Sequence, residues 1–200
     1  MIFHKYRLVF TGIPKNASTS IFNVLKNLTD NSFNHITLMD DYRYNDSELM
    51  EAYPNLAIVR NPYDRFISAC YQIRKDDDGK HSHLTFNEIT DKFVINGEQN
   101  FGSINSVFYP QHKFICFGRK MLADYVLKYE TLDKDWEQFV STYNKTSEFL
   151  LPTKIPRHNV SENRKSWKDE IKGLSSENLE FINKKYKLDF ELFDYKMING

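Results

Sequence analysis

Short apolar runs alternate with helix-like patterns along the first part of the chain. Two compact runs, Arg7–Thr11 and Asn55–Val59, have the length and composition of buried strands. Apolar residues spaced at helical intervals predict a helix over Ser18–Leu28, and the pair Asn61 and Pro62 suits the cap and the first position of another helix. Strands that alternate with helices in this way predict an α/β fold with a central, mostly parallel sheet flanked by helices.

The rest of the pattern predicts shorter elements in the same domain. Further strands are predicted at His35–Met39, Phe114–Phe117 and Tyr125–Tyr129. Further helices are predicted from Pro62 to about Arg74, at Phe86–Ile95, at Asp133–Tyr143 and at Ser176–Tyr186, with a short one in the polar stretch 40–54. Because the chain has no repeat, low-complexity tract or linker, we expect a single domain over residues 1–200.

Composition restricts the classes of partner. Lys plus Arg and Asp plus Glu both number 27, so the formal charge is zero. General binders of nucleic acid or of membrane surfaces carry a basic excess, so neither is expected as a partner, and any anion site is local. No run reaches the roughly 18 apolar residues of a membrane span. Cys70 and Cys116 form no CxxC pair, which favours free thiols, a reducing compartment and a cytoplasmic location.

The segment IPKNASTS lies at a predicted strand-to-helix turn. Such a turn directs backbone N–H groups and the positive end of a helix at one point, where phosphate or sulfate binds well. Ser18, Thr19 and Ser20 add hydroxyl donors, and Lys15 adds a full positive charge. A Walker A loop has glycines and places its lysine at the end, so this segment is not one. The structural alternative is a capped helix with a solvated lysine.

A second candidate anion site follows the strand Asn55–Val59. Arg60 stands at the end of that strand, and Ser68 follows in the predicted helix. Arginine offers a forked donor for a phosphate, and a nearby serine adds a directional hydrogen bond. The alternative is that Arg60 and Arg65 pair with Asp64 or other carboxylates. Ligands of parallel sheets bind at the carboxyl ends of the strands, so Lys15 and Arg60 are expected to converge there.

Together the two segments resemble the sulfotransferases that use 3′-phosphoadenosine-5′-phosphosulfate (PAPS). IPKNASTSI is similar to the 5′-phosphosulfate loop of that family, and VRNPYDRFISACY is similar to its 3′-phosphate motif. Weaker similarity to the carbohydrate and Golgi-type branch and its bacterial relatives is found in YPQHKFICF, VLKYETLDKDWEQF, NVSENRKSW and YKLDFELFDY.

The resemblance implies a P-loop-NTPase-like sulfotransferase architecture and a role for each matching residue. Lys15 would contact the oxygen that bridges phosphate and sulfate. The residues implied around the 5′-phosphosulfate are Pro14, Lys15, Asn16, Ala17, Ser18, Thr19 and Ser20. Arg60 and Ser68 would hold the 3′-phosphate. The implied reaction is an in-line attack, and no metal is expected to be required, because a lysine would stabilise the departing phosphate electrostatically.

An alcohol acceptor must also lose a proton, so a general base is expected. The candidates are His35, His81, His83, His112 and carboxylates such as Glu48. His35 is preferred, because the resembling family takes its catalytic histidine or glutamate from the region between the two phosphate motifs. The alternative is a histidine that forms hydrogen bonds at a strand edge. The pair His81 and His83 is a weak metal site, and an acceptor-binding or solvated loop explains it better.

The densest basic stretch lies near the C-terminus. It contains Arg157, His158, Ser161, Arg164 and Lys165. The alternative is a solvated loop, but the resembling family often closes its site with a C-terminal segment. Ser161 and Arg164 are therefore predicted to contact the donor from a flap. The aromatic residues Trp136, Phe139, Tyr186 and Phe190 are predicted to belong to the core.

The sequence therefore predicts a sulfotransferase that moves a sulfuryl group from PAPS to a hydroxyl acceptor, with a carbohydrate favoured. The alternative from another class is a non-catalytic binder of adenosine 3′,5′-bisphosphate or of a sulfated ligand. A nucleotide kinase is less favoured, because it requires a Walker lysine. Residues 81–113 are expected to shape the acceptor pocket, but nothing in them identifies a sugar, a tyrosine or a small alcohol.

Overall fold

The computed structural model describes residues 1–26, 38, 47–95, 107–155 and 165–198. The chain divides into two compact units. The first unit consists of Met1–Arg60 with Gln111–Val160, and the second consists of Asn61–Pro110 with Ser161–Gly200. Each unit is described by itself.

The strands that the structure describes lie in the first unit. They are β1 (Ile2–Phe3), β2 (Leu8–Thr11), β3 (Asn55–Val59), β4 (Cys116–Phe117), β5 (Lys120–Met121) and β6 (Tyr125–Lys128). The main sheet has the order β1-β2-β3-β6. β2 pairs in parallel with β3, and β3 pairs in parallel with β6, whereas β1 is antiparallel to β2. The carboxyl ends of β2, β3 and β6 therefore lie at the same edge of the sheet.

The helices are distributed between the units. They are α1 (Ser18–Leu25), α2 (Ser47–Ala52), α3 (Pro62–Lys75), α4 (Phe86–Ile89), α5 (His112–Ile115), α6 (Leu132–Thr146), α7 (Trp167–Ile171), α8 (Ser176–Lys185) and α9 (Lys187–Leu192). A π-helical segment, Thr90–Ile95, continues α4. Single 3₁₀ turns occur at His4–Tyr6, Asp77–Gly79 and Tyr129–Thr131.

The core of the first unit forms where α1 and α6 pack on the sheet. It contains Ile21 and Leu25 of α1, Leu56 and Ile58 of β3, and Trp136, Phe139, Val140 and Tyr143 of α6. The indole N–H of Trp136 donates to the carbonyl of Pro152 at 2.9 Å, so the polar atom of this buried ring is satisfied. Burial of this apolar surface stabilises the sheet that carries Lys15 and Arg60.

A local error of the sequence analysis falls in this unit. The predicted strand Phe114–Phe117 is wrong over its first half, because His112–Ile115 is a helix. Only Cys116–Phe117 is extended, and it pairs with Lys120–Met121 in a two-stranded hairpin. Gly118 turns this hairpin with a positive φ of 61°. Aromatic and β-branched residues favour strands, but here the local preference is overridden by packing, since Phe114 and Ile115 are buried.

The second unit is organised around α3. The side chain of Asn61 accepts hydrogen bonds from the backbone N–H groups of Tyr63 and Asp64, and Pro62 occupies the first turn, as the sequence predicts. Its core contains Tyr63, Phe66, Ile67, Cys70, Ile73, Phe86, Ile89, Ile171, Ile182, Tyr186 and Phe190. Tyr186 donates to the carbonyl of Phe108 at 2.9 Å, and burial raises the pKa of its phenol.

Most of the predicted elements are confirmed within a few residues of their ends, as is the α/β class with a mostly parallel sheet. The four aromatic residues assigned to the core, at positions 136, 139, 186 and 190, are each at most 4% exposed. The predicted strand His35–Met39 lies outside the described residues except for Leu38, which is helical. The single domain over 1–200 stays a prediction. Within the part of the chain that the structure describes, no helix has the length and apolarity to span a bilayer.

Candidate functional site

The segment between β2 and α1 is a tight loop with two residues in the left-handed region. Lys15 has a φ of 69° and Ala17 a φ of 57°. Left-handed backbone costs an L-residue about 1–2 kcal/mol, and such conformations occur often at ligand sites. The loop contains Gly12, but its left-handed positions are a lysine and an alanine.

Two polar side chains of the loop hold this path. The side-chain amide of Asn16 is fully buried, and its Nδ2 donates to the carbonyl of Ile58 in β3 at 2.7 Å. The hydroxyl of Ser18 donates to the carbonyl of Ile13 at 2.6 Å. The backbone N–H of Asn16 also donates to the carbonyl of Ile13, at 3.3 Å. In this conformation both side chains therefore hold the turn.

Arg60 meets this loop at the end of β3. Its side chain is only 7% exposed, and its Nη1 donates to the main-chain carbonyl of Lys15 at 2.8 Å. The guanidinium lies over the ring of Tyr129, with its carbon 4.0 Å from the ring centroid. Stacking on an aromatic face and a hydrogen bond fix the guanidinium plane, which is the state in which arginine recognises a phosphate best.

Gln111 joins the same cluster from a distant part of the chain. It is fully buried, and its Oε1 accepts from Nδ2 of Asn16 at 2.7 Å and from the backbone N–H of Arg60 at 2.9 Å. Its Nε2 donates to the carbonyl of Arg60 at 2.8 Å. Asn16, Arg60 and Gln111 thus form one connected hydrogen-bond network, which we call the amide clasp.

This arrangement is suited to binding an anion. Ala17, whose methyl group cannot accept a hydrogen bond, stands at the N-cap of α1, so the first N–H groups of the helix have no capping side chain from that position. These N–H groups and the helix dipole favour negative charge. The guanidinium of Arg60 reaches the main chain of Lys15, so the two basic residues meet at this loop, as their positions after parallel strands predict.

Ser68 lies in the second unit. It is half-buried on α3. The catalytic candidate His35 and the flap candidates Ser161 and Arg164 lie outside the described residues. Their roles stay predictions from the sequence.

The other candidate bases have different surroundings. His81 is 5% exposed and contacts the ring of Phe93, with the centroids 5.2 Å apart, and His112 is 6% exposed at the start of α5. His83 and Glu48 are exposed. A histidine packed in a core is a poor proton acceptor for a bound substrate unless a cavity reaches it.

Sequence reasoning missed Gln111 and Tyr129 as members of the site. Both belong to segments that carry the weaker similarity, YPQHKFICF and VLKYETLDKDWEQF. That placement is the signal that the sequence offers, since a single glutamine or tyrosine has no distinctive spacing. Their contacts with Arg60 depend on the tertiary fold.

Comparison with known proteins identifies the family of the chain. A family model described as the sulfotransferase family matches residues 1–196. No curated protein and no solved structure matches the chain. Because the matched region covers nearly all of the 200 residues, the chain belongs to the sulfotransferase family.

Proposed function

We propose that this sulfotransferase transfers a sulfuryl group from PAPS to a hydroxyl acceptor, with a carbohydrate favoured. The observation that carries the proposal is the hydrogen bond from Nη1 of Arg60 to the carbonyl of Lys15. It joins the two segments whose sequences are similar to the 5′-phosphosulfate loop and the 3′-phosphate motif. The family match favours sulfuryl transfer over the phosphoryl transfer of a kinase. The cytoplasmic location stays a prediction that rests on the two isolated cysteines.

The donor is proposed to bind at the carboxyl edge of the sheet. The N–H groups at the start of α1 and the hydroxyls of Thr19 and Ser20 would take the 5′-phosphosulfate. Arg60 would take the 3′-phosphate with the N–H groups of its fork that face the nucleotide, and Ser68 would assist it. The similarity of VRNPYDRFISACY to the family motif supports the pairing of Arg60 with Ser68.

Lys15 supplies the main electrostatic contribution to the chemical step. The acceptor oxygen forms a bond to sulfur while the bond from sulfur to the bridging oxygen breaks, and that electron pair remains on the departing phosphate. The ammonium group of Lys15 would neutralise this charge where it develops. The left-handed backbone of Lys15 and the hydrogen bond to its carbonyl fix the base of the side chain.

The test is transfer of a radiolabelled sulfuryl group to a panel of glycans, peptides and alcohols. Lys15→Ala is expected to lower the transfer rate about 10²–10³-fold, the usual effect of removing one preorganised transition-state donor. Lys113→Ala is the matched control, because it removes an exposed lysine on α5. Transfer by Lys15→Ala at the wild-type rate would contradict the proposed role. Nucleotide binding without transfer to any acceptor would instead favour the non-catalytic binder.

His35 is proposed as the general base that takes the proton of the acceptor hydroxyl. A base must be neutral to act, so the rate is expected to rise with pH as the imidazole loses its proton. His35→Ala is expected to lose about 10²-fold in rate and to lose this dependence. If the rate of His35→Ala falls at low pH in the same way as that of the wild type, the group that titrates is not His35.

A further inference from the structure

We propose that Gln111 is a positioning residue that holds the Lys15 loop and the end of β3 in the arrangement that binds the donor. The expected effect on donor binding rests on the proposed function, whereas the expected effect on the Lys15 loop does not. It starts from the amide clasp, in which one carboxamide satisfies three polar groups of two separate segments.

The first step of the argument is the orientation of the carboxamide. Its Oε1 accepts two N–H groups, one from Asn16 and one from the backbone of Arg60. Its Nε2 faces the carbonyl of Arg60 at 2.8 Å. The reversed orientation would set an NH₂ group against two donors and an oxygen against a carbonyl. The cluster therefore requires an acceptor and a donor at fixed places, which glutamine alone among the uncharged residues of this length provides.

The second step is the closed path of contacts. Gln111 bonds Asn16, Asn16 is joined covalently to Lys15, and the carbonyl of Lys15 accepts from the guanidinium of Arg60. Arg60 in turn pairs through its backbone N–H and C=O with Gln111. A movement of Gln111 is therefore transmitted to both proposed anion-binding residues, Lys15 and Arg60, without Gln111 touching the nucleotide.

The third step is burial. Gln111 and Asn16 are fully buried, and Arg60 is 7% exposed, so water cannot replace a lost partner without entering the protein. The Oδ1 of Asn16 has no hydrogen-bond partner among the described residues, so Asn16 is held through its Nδ2, which donates to Ile58 and to Gln111. Removing Gln111 would leave the buried groups that it bonds without that partner. The network thus holds in one path a loop whose two left-handed residues, Lys15 and Ala17, are not glycines.

The test compares Gln111→Ala with Lys113→Ala, an exposed position on α5. In the ligand-free protein, amide hydrogen exchange over residues 13–17 is expected to become at least about tenfold faster in Gln111→Ala, because the loop loses an anchor. The affinity for adenosine 3′,5′-bisphosphate is expected to fall at least about tenfold. This is the effect of losing one hydrogen bond between the displaced loop or Arg60 and a charged phosphate. The control is expected to match the wild type in both measurements.

A second variant separates positioning from general loss of packing. Gln111→Glu keeps the size and both acceptor contacts, but an ionised carboxylate sets an oxygen against the carbonyl of Arg60. Protonation restores a donor at that oxygen. The affinity of Gln111→Glu for the bisphosphate, expressed relative to the wild type at each pH, is therefore expected to rise as pH falls from 8 to 5.5. A variant that acts only through lost packing would show a constant ratio.

The outcomes distinguish this inference from the proposed function. If the wild type does not bind the bisphosphate, the proposed function fails, and the exchange measurement still decides whether Gln111 holds the loop. If Gln111→Ala does not fold, the inference is decided by whether the affinity of Gln111→Glu relative to the wild type changes with pH. Unchanged exchange over 13–17 together with wild-type affinity in a folded Gln111→Ala would overturn the inference, as would a Gln111→Glu ratio that is independent of pH.

Discussion

Among the turns of the first unit that have left-handed residues, the loop after β2 and the hairpin between β4 and β5 are held in different ways. The loop between β2 and α1 uses Lys15 and Ala17, with φ values of 69° and 57°. The hairpin between β4 and β5 uses Gly118, with a φ of 61°, and an added Cβ at that position would meet no atom within 4 Å. The φ values are similar, but the hairpin uses a glycine to adopt them, whereas the loop is held by hydrogen bonds from surrounding residues.

The difference shows how a chain can keep side chains at a strained site. Glycine makes the hairpin turn with little strain and contributes no chemistry. In the loop, the left-handed position carries Lys15, the residue with the proposed catalytic charge, so the strain is offset by hydrogen bonds from Asn16, Ser18 and Arg60. The comparison implies that the loop depends on buried polar contacts, whereas the turn of the hairpin depends on the conformational freedom of Gly118.

The largest effect is expected for Asn16→Ala. The variant loses hydrogen bonds to Gln111 and to the carbonyl of Ile58, and it leaves that buried carbonyl without its side-chain donor. We expect the free energy of unfolding to fall by about 3 kcal/mol in a denaturant titration. Gln138→Ala, which changes an exposed amide on α6, should stay within about 0.5 kcal/mol of the wild type. If Asn16→Ala lowers the free energy of unfolding by less than about 1 kcal/mol, the loop does not depend on its buried polar contacts.

An intermediate effect is expected for Gly118→Ala. The new methyl group meets no neighbouring atom, so the cost is that of a left-handed L-residue, reduced by the lower entropy of the unfolded chain. Thermal and denaturant unfolding should show a loss of about 1 kcal/mol. Sulfuryl transfer by the folded variant should remain at the wild-type rate, and a fall in that rate would connect the hairpin to the site.

The smallest effect is expected for Ala17→Gly. Glycine removes the left-handed cost at this position but loses about 0.4–1 kcal/mol through the entropy of the unfolded chain. The variant should gain only about 0.5 kcal/mol in stability. A gain well above about 1 kcal/mol would mean that the contacts around the loop leave more strain than the comparison assumes.

The sequence predicted those parts of the fold that depend on local signals. Asn61 and Pro62 mark the start of α3 because capping needs only neighbouring backbone groups. The strand Asn55–Val59 was predicted with its observed ends, since a compact apolar run is typical of a buried parallel strand. The edge strand Ile2–Phe3 was missed, because two residues are too few to show a period.

Of the candidate site, the sequence predicted the meeting of two segments, and the residue roles stay predictions. The convergence of Lys15 and Arg60 followed from two strands ending at one edge of a sheet, and the bond between them agrees with it. The direction of the side chains did not follow from the sequence. A polar residue such as Asn16, in a predicted anion-binding loop, gave no sign that its amide is buried against β3. The partners Gln111 and Tyr129 are distant in sequence, so only the fold reveals them.

The most direct measurement is a calorimetric titration of the wild-type protein with adenosine 3′,5′-bisphosphate and, separately, with adenosine 5′-monophosphate. If Lys15 and Arg60 serve two phosphates of one nucleotide, the bisphosphate should bind at one site per chain. It should bind at least about tenfold more tightly than the monophosphate, since a hydrogen bond to a charged group contributes about 1.5–3 kcal/mol. Equal affinity for the two nucleotides, or no binding of the bisphosphate, would contradict the account.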